Sequence, residues 1–308
     1  MNFPKRKHFA FTILDDTDDS TLENVSPVYD ALRVHGIRTT KTVWPVDCPE
    51  GSRLFFAGDT LQRKPYLDFV RQLSVDGFEI AFHGATMESS RRERVVRALE
   101  FFKNAFGAYP TLYCNHAQNR DNLYWGFKRF QTPILRGLAR LLRREASSYY
   151  LGEVENTEYF WGDLCRRHIH YVRNWTFQHL NLLDVNPQMP YALPGTPWVN
   201  LWFSTADAPD VEAFIRLLER EKIDYLQRAK GLCIVSTHLG KGFVRNGVLD
   251  PRVERIFQDL GKRPGWYVPV SEMLNYLIET HGRGRALGSW ATAVLEGRYL
   301  LNRLWGSR

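Results

Sequence analysis

The sequence predicts an α/β protein folded as one barrel of parallel strands, on three observations. Short apolar or β-branched runs alternate with helical patterns, the order expected of strands joined by crossover helices. Asp15, Asp16, His83, His116 and His238 each stand just past such a run, and parallel α/β folds collect their sites at the carboxyl ends of their strands. The 308 residues would suit one large barrel or two modest domains, and four separate runs that deliver polar residues to one face favour the single barrel.

Taken in order, the first run, Phe9–Leu14, is too short for the apolar part of a signal peptide and is followed by no small-residue cleavage site, so it reads as the first strand. Further strands are expected over residues 40–46, 78–82, 111–115, 200–204, 232–237 and 266–269. Helices are expected over residues 21–35, 64–76, 90–106, 209–220, 251–260 and 271–280. Asp18, Asp19 or Ser20 would cap the first helix, with Glu23 in its first turn, and Ser89 or Ser90 with Glu93 would cap the third. Two basic stretches with helical spacing interrupt the alternation, an insertion near 127–145 and a tail over 282–308; the barrel itself is expected over residues 1–281. Each stretch either packs an apolar stripe on the barrel with Arg facing water, or lies on an anionic bilayer surface.

Composition excludes several classes. With 44% hydrophobic and 24% charged residues the chain is an ordinary globular protein, not a disordered one. No stretch approaches the roughly 18–20 apolar residues of a membrane span. Cys48, Cys114, Cys165 and Cys233 form no CxxC pair, which argues against a zinc ribbon or redox motif; reduced thiols fit a cytoplasmic placement, peripheral on the inner membrane face if the basic stretches touch lipid. A net charge of +7 by itself suits nucleic acid, phosphate-bearing substrates or an anionic membrane, and its distribution matters more than its sum; with the site described below, no nucleic-acid partner is expected.

The chemistry concentrates at the strand ends. Adjacent residues leaving a strand can point differently, so one of Asp15 and Asp16 can bind a metal while the other acts as a base. His83 precedes Gly84, which permits a tight turn, and stands at a strand end like the acidic pair, as a metal ligand would. His238, before Gly240 and Gly242, has the ordinary pKa of an acid that protonates a leaving amine.

The phrases LDDTDDSTLENV, FEIAFHGATM, NHAQNRDNLYWG, YFWGDLCRRH and STHLGKGFVRNG, in this order and with a final VPVSEML, resemble the polysaccharide deacetylase (NodB-homology) family, and more closely its WbmS-like O-antigen-cluster branch, over residues 8 to 280. The resemblance implies a distorted (β/α) barrel, and one divalent metal ion, zinc before cobalt, manganese or nickel. It implies Asp15 as general base, Asp16 and His83 as metal ligands and His238 as general acid, in hydrolysis of an amide on an N-acylated sugar; the cytoplasmic placement and positive charge suit a nucleotide- or lipid-linked one. Where the family places a second histidine, four residues after the first, this chain has Met87, a poor ligand for such a cation. His116 is the substitute on this reading; otherwise it joins Asn115 and Gln118 in binding substrate hydroxyls. Arg120 would tune the catalytic aspartate. Asp207 resembles an acidic segment of the family and also reads as a helix start. Tyr124, Trp125 and Trp161 would stack on a sugar ring, or are packing aromatics. His168 and His170 share one face of a possible strand, where they would hold a metal or, as is commoner, form a surface pair. The alternatives are a carbohydrate-binding relative that has lost a ligand at Met87 and, on Asp16-Thr17-Asp18, a phosphohydrolase.

Overall fold

A computed structural model describes residues 1–50, 52, 58–116, 118–143 and 149–305. The first strand, β1 (Phe9–Asp15), is buried along its whole length, as its unbroken apolar run requires of a strand covered on both faces. It leads through α1 (Leu22–Val34) to β2 (Thr40–Val43). Then follow α2 (Lys64–Val75), β3 (Glu79–Phe82), α3 (Arg92–Phe106) and the two-residue β4 (Leu112–Tyr113). A long connection carries α4 (Pro133–Arg143) and α5 (Gly162–His168) to β5 (Tyr171–Phe177). Next come α6 (Leu182–Val185), β6 (Leu201–Asp207), α7 (Val211–Leu217), α8 (Arg220–Arg228) and β7 (Leu232–Thr237).

Strands β1 to β7 pair in sequence order, all parallel, and β7 returns to β1 along Ala10–Asp15, which closes a seven-stranded barrel. The expected α/β barrel is therefore present. Because β7 takes one edge of β1, the other edge is shared. Leu14 and Asp15 pair with β2, and Phe9–Phe11 pair with a late strand that fills the splay between them.

That strand belongs to the closing segment. A short hairpin, β8 (Val244–Arg245) and β9 (Val248–Leu249), turns at Asn246-Gly247 with both residues at positive φ, the conformation an Asn-Gly hairpin favours. It is followed by α9 (Pro251–Lys262), β10 (Gly265–Tyr267), which is the splay-filling strand, and α10 (Val270–His281).

The basic tail forms α11 (Ser289–Trp305) and packs on the barrel. Leu295 and Tyr299 are buried in the main core, the Tyr299 ring lies 4.3 Å from Trp175 of β5, and Asn302 accepts a hydrogen bond from the Gln178 amide. Residues 306–308 of the tail, and 144 and 145 of the expected insertion, lie outside the described residues. Among the described residues no helix is long and apolar enough to cross a membrane.

Local differences from the expected elements have physical causes. Thr21, not Asp18, Asp19 or Ser20, caps α1 through a reciprocal box with Asn24, and Arg91 precedes α3 with no side-chain cap. Strand β5 was hidden because Arg173 and Asn174 break its apolar run. His168 ends α5 against the Tyr109 ring while His170 lies outside β5, so the two share no strand face.

Candidate active site

Four chain segments converge beyond the carboxyl ends of β1, β3, β4 and β7. The turn after β1 is fixed by Asp16 N–H donating to the Thr237 carbonyl and Thr17 N–H donating to Thr42 Oγ1. The loop after β7 closes on it at Gly240, where a Cβ would stand 2.6 Å from the Asp19 carbonyl, so only glycine permits the approach. After β4, Asn115 bonds both backbone groups of Leu123, and Asn122 bonds both the amide and the carbonyl of His116. This double clasp fixes the His116 loop before any side chain reaches the site.

The centre of the cluster is Asp18. Its Oδ1 lies 3.3 Å from His83 Nε2 and 3.3 Å from His116 Nε2, and its Oδ2 lies 3.2 Å from His238 Nε2 and 3.7 Å from Lys241 Nζ. Burial alone would raise the Asp18 carboxyl, but His116, His238 and His83 outweigh it and hold the group far below the usual carboxylate range. Desolvation dominates at His83, whose pKa is lowered despite the two nearby carboxylates. At His238 the opposing pull of Asp18 and Asp16 exceeds desolvation and raises it. Trp44 walls the site, its ring 5.4 Å from His116 and 6.1 Å from His83.

The donor set fits a divalent metal. Asp18 Oδ1 is buried with no hydrogen-bond partner among the described residues, an arrangement that costs free energy unless something else satisfies it. One carboxylate and two imidazoles are ordinary zinc ligands; donors about 2.0–2.2 Å from a tetrahedral ion lie roughly 3.3–3.6 Å apart, which the two 3.3 Å separations match. A second group, Asp16, His83 and Cys114, also has its ligand atoms within 4.8 Å of one another. It fits less well, because Asp16 Oδ2 is held by Arg173 at 2.6 Å and burial pushes the Cys114 thiol well above its ordinary pKa, away from the thiolate a metal needs.

The structure puts the two members of the acidic pair in different surroundings. Asp15 is fully enclosed: its Oδ2 accepts from Lys41 Nζ at 2.7 Å and from the Tyr29 hydroxyl at 2.9 Å, and its Oδ1 accepts from the Leu239 amide at 2.9 Å. No oxygen is left to face a substrate. Asp16 keeps Oδ1 unpartnered, 3.7 Å from His83 Nδ1, beside the cluster. Desolvation would raise its carboxyl, but Arg173, then His83 and His238, hold it below its ordinary value.

Of the residues expected at the metal, His83 and His116 meet, with rings 5.2 Å apart, whereas Asp18 takes the position between them that Asp16 was expected to fill. Arg173, not Arg120, is the guanidinium on the acidic pair; Arg120 stacks 4.7 Å over the Tyr159 ring. Met87 is buried with Trp44 and Cys48 in a small apolar cluster of its own.

The expected sugar contacts divide. Trp161 has no exposed surface and donates its indole N–H to the Asp121 carbonyl within the core, so it offers no face to a sugar. Asn115 is consumed by its clasp. Tyr124 is buried, with its hydroxyl accepting from the Trp198 amide, and the Trp125 ring is covered by Arg129 at 4.4 Å. Gln118 is exposed. Asp207 is the last residue of β6, with its Oδ2 3.2 Å from Arg303 of α11; Asp210 is the residue that caps α7. Burial raises the Asp207 carboxyl against the pull of Arg303 and Arg173. Asp18, Arg173, Trp44 and Lys241 were missed. The only signal for Arg173 was a charge inside the run YVRNWTF.

Neither a protein-family model nor a curated protein matches this sequence. Solved structures do. A Mycobacterium smegmatis protein designated a polysaccharide deacetylase superposes with a TM-score of 0.52 at 12% identity, over 94% of this chain and 96% of that one. A Pseudomonas aeruginosa PAO1 protein with the same designation gives 0.51 at 13% identity, over 91% and 94%. At such identities the likeness is one of fold, and it spans nearly the whole of both partners. The chain has the fold of the polysaccharide deacetylases.

Proposed function

We propose that the protein is a metal-dependent hydrolase that cleaves the amide of an N-acylated sugar, in keeping with the WbmS-like resemblance of its motifs. The observation that carries the reading is the Asp18 carboxylate set between His83 and His116, with Asp16 and His238 beside it. Asp18, His83 and His116 would hold the ion. Bound there, a divalent cation supplies Lewis acidity to the amide carbonyl and stabilises the charge that develops on its oxygen.

The chain's own groups supply the proton transfers. Asp16, kept ionised by Arg173, has Oδ1 free to accept the proton of the attacking water as the new C–O bond forms. His238 donates from Nδ1 to the Pro209 carbonyl at 2.7 Å, which fixes the ring and leaves Nε2 facing the cluster. From Nε2 the protonated imidazole delivers a proton to the departing nitrogen as the C–N bond breaks, and the products are a carboxylate and an amino sugar. Lys241 would add positive charge at the mouth of the site, which suits a phosphate-bearing carrier such as a nucleotide- or lipid-linked sugar.

The test is release of acid and free amine from N-acetylated sugars and their nucleotide diphosphates, with protein reconstituted in zinc, cobalt, manganese or nickel. Asp16→Asn is expected to lower turnover by about 10²–10⁴-fold, the usual worth of a general base, while metal content stays unchanged. No released amine with any reconstituted metal would turn the assignment toward a carbohydrate-binding relative.

A further inference from the structure

The connection from β4 to β5 contains a helix that leaves an aliphatic stripe on the surface. Helix α4 turns Ala139 inward, and Arg136 and Arg140 lie over the Phe127 ring at 6.0 and 5.8 Å. Ile134, Leu138 and Leu141, spaced i, i+4 and i+7 and so on one face, are 82%, 44% and 75% exposed. A solvated helix gives its arginines to water and its aliphatic stripe to the protein. Here the stripe faces outward and needs an apolar partner.

Charge selects that partner. Residues 122–144 contain Lys128, Arg129, Arg136, Arg140, Arg143 and Arg144 and no Asp or Glu. Lys128 and Arg129 are engaged internally, with Glu153 and Asn174, whereas Arg136 and Arg140 are exposed on the helix face opposite the stripe. We propose that α4 docks the protein on an anionic bilayer, its aliphatic face seated at the boundary between headgroups and acyl chains and its arginines among the lipid phosphates. Eleven residues make a helix about 16 Å long, too short to cross a bilayer and suited to lying in its surface. Its amino end is tied to α11, where Glu296 accepts from the Gln131 and Thr132 amides. The same α11 carries Trp290, 82% exposed, of the type found at headgroup level. This surface does not depend on the proposed chemistry.

The test is co-sedimentation of the full chain with vesicles of phosphatidylcholine alone and of phosphatidylcholine mixed with phosphatidylglycerol. Binding is expected to the mixed vesicles and to be weak on the neutral ones. The triple variant I134Q/L138Q/L141Q should lower partitioning by at least about tenfold with an unchanged unfolding temperature, and R136Q/R140Q should lower it by several fold. Should the triple variant misfold, L138E alone carries the same expectation. Wild type that stays in the supernatant, equal binding to both vesicle types, or full binding by the stripe variants overturns the proposal. So does a concentration-dependent dimer in light scattering that the triple variant abolishes, since the stripe would then belong to a second copy. Turnover of a water-soluble N-acyl sugar, measured alongside, should be unchanged in the triple variant, so its absence in wild type would bear on the chemistry alone.

Discussion

Three aspartates within four residues do three different things. Asp15 is a strut: with Lys41 it forms an ion pair closed off from solvent, and through the Leu239 amide it ties β1 to the loop that carries His238. Asp15→Asn should therefore cost roughly 3–5 kcal/mol in chemical denaturation, because it strands a buried ammonium. Pairing it with Lys41→Met should recover most of the loss, and an Asp15→Asn protein as stable as wild type would refute the strut. Asp16 is the residue whose removal should spare the fold and stop turnover. What the sequence conveyed here was the position of the acidic pair at a strand end, which follows from the alternation of apolar and polar residues. Which carboxylate faced which way did not follow, because it depends on Lys41 and Arg173, cations lodged in distant strands. Asp18 looked like an N-cap because a short polar side chain before a helix is usually one; Thr21 already fills that role, which leaves Asp18 free to turn toward the histidines.

The loops that carry His83 and His116 are joined by Asp121, whose Oδ1 accepts from the Ser90 amide at 2.8 Å in a buried position. Burial pushes its carboxyl up to about 6, against the bonds that favour the charge. A carboxyl whose folded pKa lies above its unfolded value binds its proton more tightly in the native state. Its contribution to stability is thus full below about pH 4 and is lost as pH rises through about 6. Asp121→Asn keeps the acceptor and removes the titration. The variant should be more stable than wild type at pH 7 by about 1–3 kcal/mol, and the gain should vanish near pH 4. A variant less stable than wild type at pH 7, read by denaturant midpoint, would mean that the ionised carboxylate is needed where it is. Helices α1, α2, α3, α9 and α10 were legible to within two residues because each keeps a clean apolar period. Strand β5 and helix α8 were not, the first because a buried arginine interrupts it, the second because it is mostly charged.

At the scale of the whole molecule the candidate centre exists only when the barrel closes, since Asp18 follows β1, His83 follows β3, His116 follows β4 and His238 follows β7. The unfolded chain has these donors spread over more than 200 residues, so an ion that binds the assembled cluster binds the native state alone and must stabilise it by mass action. At a free zinc concentration about a hundred times the dissociation constant the gain is about 2.7 kcal/mol, which for a chain of this size raises the unfolding temperature by roughly 4 °C. Asp18→Ala and His116→Ala should abolish that shift, and Asp16→Asn should retain it, because Asp16 is engaged with Arg173 and lies outside the trio. The reverse pattern, a shift lost with Asp16 and kept without Asp18, would return the ligand role to Asp16 and move the ion toward Cys114. A shift that survives His116→Ala would leave His83 without its partner and assign His116 to the substrate. Calorimetry on four proteins, with and without zinc, separates these outcomes before any substrate is known.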